Sequence, residues 1–234
     1  MPLIFSPLSE DVLEGPFKPS PKTAFIMLHS GKSVSDIELK MDNIVRDCLG
    51  DLNHPFIKAS SFSGTKDYLE KIIQIIRGCG FGVAIFSEFT PSPTLANIFF
   101  EIGLCSLLGK PVVLVKSAKA KAPSDFVRTE WLTYQGGDTK KLKRDLKDSI
   151  KAVVKLAKYY EDLGDLALQA DDVDVELAFE RYRQAVLIAD SRSARRKIEE
   201  ILRRLKNNQG SADLLRASKS RLRKSISEFI QLLP

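Results

Sequence analysis

Apolar positions recur along the chain with two different periods, and the change between them divides it. Thr23 to Leu28 (TAFIML) is a short, nearly unbroken apolar run, the pattern of a strand covered on both faces. It ends in a polar loop, His29-Ser30-Gly31-Lys32-Ser33. Ile37, Met41, Ile44, Val45 and Cys48 then fall three or four apart, which predicts a helix over 37–49. Phe56 to Ala59 reads as a second strand, followed by a Ser/Gly loop over 60–64. Leu69, Ile72, Ile73 and Ile76 predict a helix over 67–77 that Gly78 and Gly80 stop. Gly82 to Ser87 (GVAIFS) is a third strand. A loop with Pro91 and Pro93 leads to a helix over 94–108, closed by Gly109, and Val112 to Val115 is a fourth strand.

Continuous apolar strands alternating with helices predict an α/β domain built on an open, doubly wound parallel sheet. From about residue 139 the strand pattern disappears. Helical spacing over 142–167, 175–189, 193–205 and 212–233 predicts an all-α domain. Five of the eleven prolines fall within the first 21 residues, so the organisation expected is an irregular arm (1–22), an α/β domain (23–137) and a helical domain (138–234). Tyr160, Leu163, Gly164 and Ala167, then Ala178, Tyr182 and Ala185, resemble one tetratricopeptide-type hairpin with about two extra residues in its turn.

Composition adds exclusions. The 44% hydrophobic and 28% charged content of these 234 residues suits a folded protein. No apolar run reaches the roughly 18 residues needed to cross a bilayer. The opening segment lacks a basic region and carries Glu10, Asp11 and Glu14, a poor secretory signal, so a cytoplasmic protein without membrane contact is expected. Cys48, Cys79 and Cys105 form no CxxC or Cys/His cluster and read as buried thiols of a reducing compartment. With His29 and His54 the only histidines, no metal site is expected.

The net charge of +6 is unevenly placed. Twelve lysines and arginines stand against three acids between Arg192 and Lys224, while nine acids stand against two arginines between Glu161 and Asp190. Neighbouring blocks of opposite sign favour pairing within the chain or between copies. No aromatic residue interleaves the basic block before Phe229, which argues against nucleic acid as its partner.

Candidate chemistry lies in ANIFFEIGLCSLLGKPVVLV, Ala96 to Val115, where Glu101 is the lone acid in an apolar stretch. Asn97 and Glu101 are four apart and share a helix face. Ligands of doubly wound sheets bind at the carboxyl ends of the strands. Glu101 points into that crevice if Ile98, Phe99 and Ile102 pack on the sheet. Apolar neighbours such as Phe100 then raise its pKa, and the helix N-terminus lowers it.

The series AFIMLHSG, SSFSG, GVAIFSEFT, ANIFFEIGLCSLLGKPVVLV and PSDFVRTEWLTY, over about Thr23 to Tyr134, resembles the nucleoside 2-deoxyribosyltransferase-like group, related to the TIR-like domains. Asn97, Glu101, Gly103 and Gly109-Lys110 are its most specific part. The resemblance implies a flavodoxin-like/TIR-like sheet and cleavage of the N-glycosidic bond of NAD or a related nucleotide or nucleoside, with Glu101 as the catalytic carboxylate. A carboxylate can stabilise or capture an oxocarbenium-like centre. His29, Ser30 and Gly31 would meet phosphate or ribose, with Ser87, Glu88 and Asn97 also at the ligand and Asp125 the best candidate for a second acid. Pockets completed across subunits imply a homo-oligomer. No cofactor is implied, the nucleotide being substrate.

The first-strand region here lacks the group's usual tyrosine, and the second-strand loop (KASSFSG) lacks its acid. Both departures argue against transfer to a free base and favour hydrolysis or plain binding. Without GxGxxG or GxxxxGK[ST] spacing, a Rossmann dehydrogenase or P-loop NTPase is disfavoured. Phe126 and Trp131 could stack a base, but core packing is the favoured reading. The expectation is an N-glycosidase of the defence-effector type, whose helical half senses, assembles or meets a protein partner. The alternative is a catalytically silent nucleotide-sensing module that signals through its helices.

Overall fold

In the computed structural model, which describes residues 17–29, 34–58, 68–122, 130–169, 174–207 and 213–234, the apolar runs become strands of a single sheet. The strands are β1 (Ala24–Leu28), β2 (Phe56–Lys58), β3 (Phe81–Phe86), β4 (Val112–Ser117) and β5 (Leu132–Tyr134). All pairs are parallel and the order is β2-β1-β3-β4-β5. The chain therefore reverses its direction of travel between β1 and β3, the doubly wound arrangement expected. Strand β5 was not foreseen. Its three residues are too few to show a period, and pairing with Val115 to Ser117 makes it a strand.

Side chains alternate across the sheet and seed two apolar clusters. Ala24, Ile26, Val83, Ile85, Val113 and Val115 face one side, where α1 (Asp36–Asp51) packs through Met41, Ile44, Val45 and Cys48. Phe25, Met27, Ala84, Phe86 and Leu114 face the other, covered by α2 (Tyr68–Gly78) and α3 (Ser92–Leu107). Helix α3 opens at Pro91 with Pro93 in its first turn, where a missing N–H costs nothing.

Four helices follow: α4 (Thr139–Gln169), α5 (Val175–Ala189), α6 (Arg192–Asn207) and α7 (Asp213–Leu232). The core does not stop at 137/138. Leu142, Leu146 and Ile150 of α4 share one apolar cluster with Val113, Val115 and Tyr134, and the same cluster continues into Phe179, Tyr182 and Ile198. Helix α4 thus serves both as a sheet-covering helix and as the first arm of the helical hairpin. In that hairpin Gly164 lets α5 approach, since a Cβ there would fall 2.5 Å from the Tyr182 ring.

Helix α5 closes the amino edge of the sheet. The Lys22 N–H donates to Leu187 O at 2.8 Å, and a Cβ on Gly80 would collide with that same carbonyl. The charged blocks meet in part within the chain, through Lys197 to Asp165 at 2.6 Å and Arg195 to Asp190. No helix among the described residues is long and apolar enough to cross a membrane.

Candidate functional site at the carboxyl edge of the sheet

Where β1 and β3 end, the chain places a buried polar network. Ser35 caps α1 in a reciprocal box with Glu38, so the Glu38 carboxylate accepts from the Ser35 N–H at 3.0 Å and the Ser35 hydroxyl at 2.8 Å. The same carboxylate lies 3.5 Å from His29 Nδ1 and accepts the Thr90 hydroxyl. Glu38 is only 2% exposed. Burial by itself raises its pKa, but the hydrogen bonds from Thr90, Ser35 and His29 outweigh that and hold it below the ordinary carboxylate value.

The segment after β3 is strapped to its surroundings. The Ser87 N–H donates to Thr90 Oγ1 at 2.8 Å, and the Phe89 N–H donates to Ser87 Oγ at 3.0 Å. Glu88 is tied to the end of β4, its N–H donating to Ser117 Oγ at 3.3 Å while the Ser117 hydroxyl donates back to its carboxylate. These bonds fix the 87–90 turn at the point where the strand order reverses.

Beside the network opens a cleft of about 440 Å³. One wall is the first turn of α1, with Ser35, Asp36 and Ile37, and Lys40 one turn on. Phe89, 62% exposed, forms another, and Tyr134 with the Gly136-Gly137 turn closes the third. Both glycines have positive φ, at 33° and 107°, which a side chain would strain.

His29, Ser87 and Glu88 therefore gather at this edge. Glu101 lies elsewhere. It is 8% exposed and shares the α3 face with Ile98, Ile102 and Cys105, within the cluster on the opposite side of the sheet from the cleft. Cys105 Sγ would sit 3.4 Å from a Cβ on Gly82, near the start of β3. One helical turn, about 5.4 Å, separates Glu101 from Cys105. Glu101 therefore stands one turn closer to the carboxyl edge than Cys105 does. Burial pushes its pKa up to about 7, and it has no hydrogen-bond partner among the described residues. Asn97, one turn before Glu101 on the same helix, is exposed. Ser30, Gly31, Asp125 and Phe126 lie outside the described residues.

Other motif residues take structural places. Lys110 is buried at the amino edge, far from the cleft. Trp131 packs edge-on against Phe86 with ring centroids 5.2 Å apart, the core reading of that residue. At Gly103 nothing lies within 4 Å of a would-be Cβ, so packing does not require the glycine. Glu38 escaped the sequence reading although Ser35-Asp36-Ile37-Glu38 carries the capping-box spacing. Thr90, Ser117, Lys40 and Phe89 carried no local signal, because their placement depends on which strands become neighbours. Among the described residues no group of three or more His, Cys, Asp or Glu could hold a metal ion. No protein-family model, curated protein or solved structure matches the chain.

Proposed function

We propose that the chain binds a nucleotide in the carboxyl-edge cleft, beside the β1/β3 reversal. The observation that carries this is the convergence of an exposed aromatic ring, a cation and a carboxylate on one cavity in the volume range of ligand sites. Phe89 offers a face on which a base can stack. Lys40 and the positive end of the α1 dipole favour an anionic group, and Asp36 can accept from ribose hydroxyls. The Glu38 network holds α1 and the 87–90 turn in place, so the cleft is formed before ligand arrives. Three buried free thiols fit a reducing compartment for this activity.

A second reading, N-glycosidic cleavage by Glu101, is favoured by one observation. A buried carboxyl with its pKa near 7 suits a general acid that protonates a leaving base. It suits less well the ionised carboxylate that would capture the sugar. Incubation with NAD, nucleotides and nucleosides, followed by chromatography and by equilibrium binding, separates the two. Binding without base release supports nucleotide sensing. Base release that Glu101→Gln abolishes supports cleavage, and neither binding nor release contradicts both.

A further inference from the structure

Helix α4 carries two apolar faces. Ile150, Val153, Ala157, Gly164 and Ala167 point into the core. Ala152, Leu156, Tyr159, Leu163 and Leu166 form a second stripe with the alternating four-three spacing of a heptad seam. No described element covers it: Tyr159 is 57% exposed, Leu166 60% and Leu156 37%. Leu107 at the end of α3 extends the patch, since the Tyr160 hydroxyl donates to Gly109 O at 3.4 Å just beyond it.

We propose that this stripe is a self-association surface on which two copies of the chain pair through antiparallel α4 helices. Charge selects both the partner and the register. Lys155 and Asp162 are seven residues apart, so they occupy the same flank of the seam, and both are exposed; Asp162 also accepts from Lys158 Nζ at 2.7 Å within its own helix, one turn back and off the seam. In an antiparallel pair, equivalent flanks face each other. Seating Leu156 on Tyr159 of the second copy, and Ala152 on Leu163, sets Lys155 against Asp162 on both sides of the two-fold axis. Sliding by one heptad sets Asp162 against Asp162, and a parallel pair brings no opposite charges together across the seam. The surface is therefore complementary to itself in one register, as an isologous contact requires.

The area agrees. The exposed parts of the stripe and Leu107 amount to apolar surface on the order of 400 Å², the size of the largest, often functional, patch on a monomer. A standard interface removes roughly 800 Å² per partner, a little over half of it apolar, and the lysine and aspartate flanks supply the remainder.

Light scattering on the full chain over a wide concentration range should show a dimer at high concentration. Tyr159→Glu should shift it to monomer with an unchanged circular dichroism spectrum. Lys155→Asp and Asp162→Lys should each weaken the dimer about tenfold or more, and the double swap should restore it. These two positions are exposed, so they decide the matter even if Tyr159→Glu disturbs folding. A monomer at every concentration overturns the proposal. So does a dimer indifferent to these changes, or a double swap no tighter than its single variants.

Discussion

The Lys110 ammonium lies 3.2 Å from Gln184 Oε1, and this contact joins the sheet's amino edge to helix α5. Lys110 also donates to Arg77 O at 3.1 Å and Cys79 O at 2.8 Å, while the Gln184 amide donates to Leu108 O at 3.2 Å. The lysine of the Gly-Lys-Pro turn thus fastens the helical region to the α/β region.

Burial pushes the Lys110 pKa down to about 7, and the nearby Arg183 guanidinium acts in the same direction. In the unfolded chain it titrates at about 10.4. Between these values the unfolded state binds more protons, so stability should rise with pH from about 7 to 10. Below 7 both states are charged and the cost is constant. Urea titrations across this range should show the slope in the wild type and a flatter one in Lys110→Met. Equal slopes would show that Lys110 stays charged inside the fold.

Glu38→Ala should destabilise by roughly 2–4 kcal/mol, because it removes the reciprocal half of the α1 capping box and strands the buried Thr90 hydroxyl. Since Glu38 is held below its ordinary pKa, its contribution is present above pH about 4.5 and fades as pH falls through the lowered value. Denaturation at pH 7 and at pH 3 should therefore show a smaller difference between wild type and Glu38→Ala at the lower pH.

Glu101→Gln should act in the opposite sense. Glu101 titrates at about 7 when folded, so the wild type should lose stability as pH rises from about 4.5 to 7. The Gln variant lacks that loss and should be the more stable protein at pH 8. A less stable Gln variant at pH 8 would mean that the ionised carboxylate has a partner in the fold.

Because one apolar cluster runs from β4 through α4 to α6, thermal unfolding should be a single transition with equal calorimetric and van't Hoff enthalpies. Two separated transitions would restore a boundary near residue 138.

The strands were legible because burial on both faces leaves uninterrupted runs such as Phe81 to Phe86, and α1 and α2 because their apolar residues keep helical spacing. The boundary expected at 137/138 coincides with no break in the apolar core, for a physical reason. Helix α4 changes partners midway from sheet to α5, and its apolar period is the same on either side of that change. His29, Ser87 and Glu88 could be assigned to the carboxyl edge because each follows a recognisable strand. Glu101 does not line the cleft, because α3 covers the face of the sheet opposite α1, and which helix covers which face is set by the strand order. Phe89 and Lys40 meet only through tertiary structure.

The most direct test of nucleotide binding at the cleft is calorimetric titration of the full chain with AMP, ATP and NAD, repeated on Phe89→Ala and Lys40→Glu. Both residues are exposed, so the variants should fold. Saturable binding of at least one nucleotide, weakened about tenfold or more by each substitution, is the expected result. No binding to any of the three, or binding that both variants retain at full strength, would contradict the assignment of the cleft.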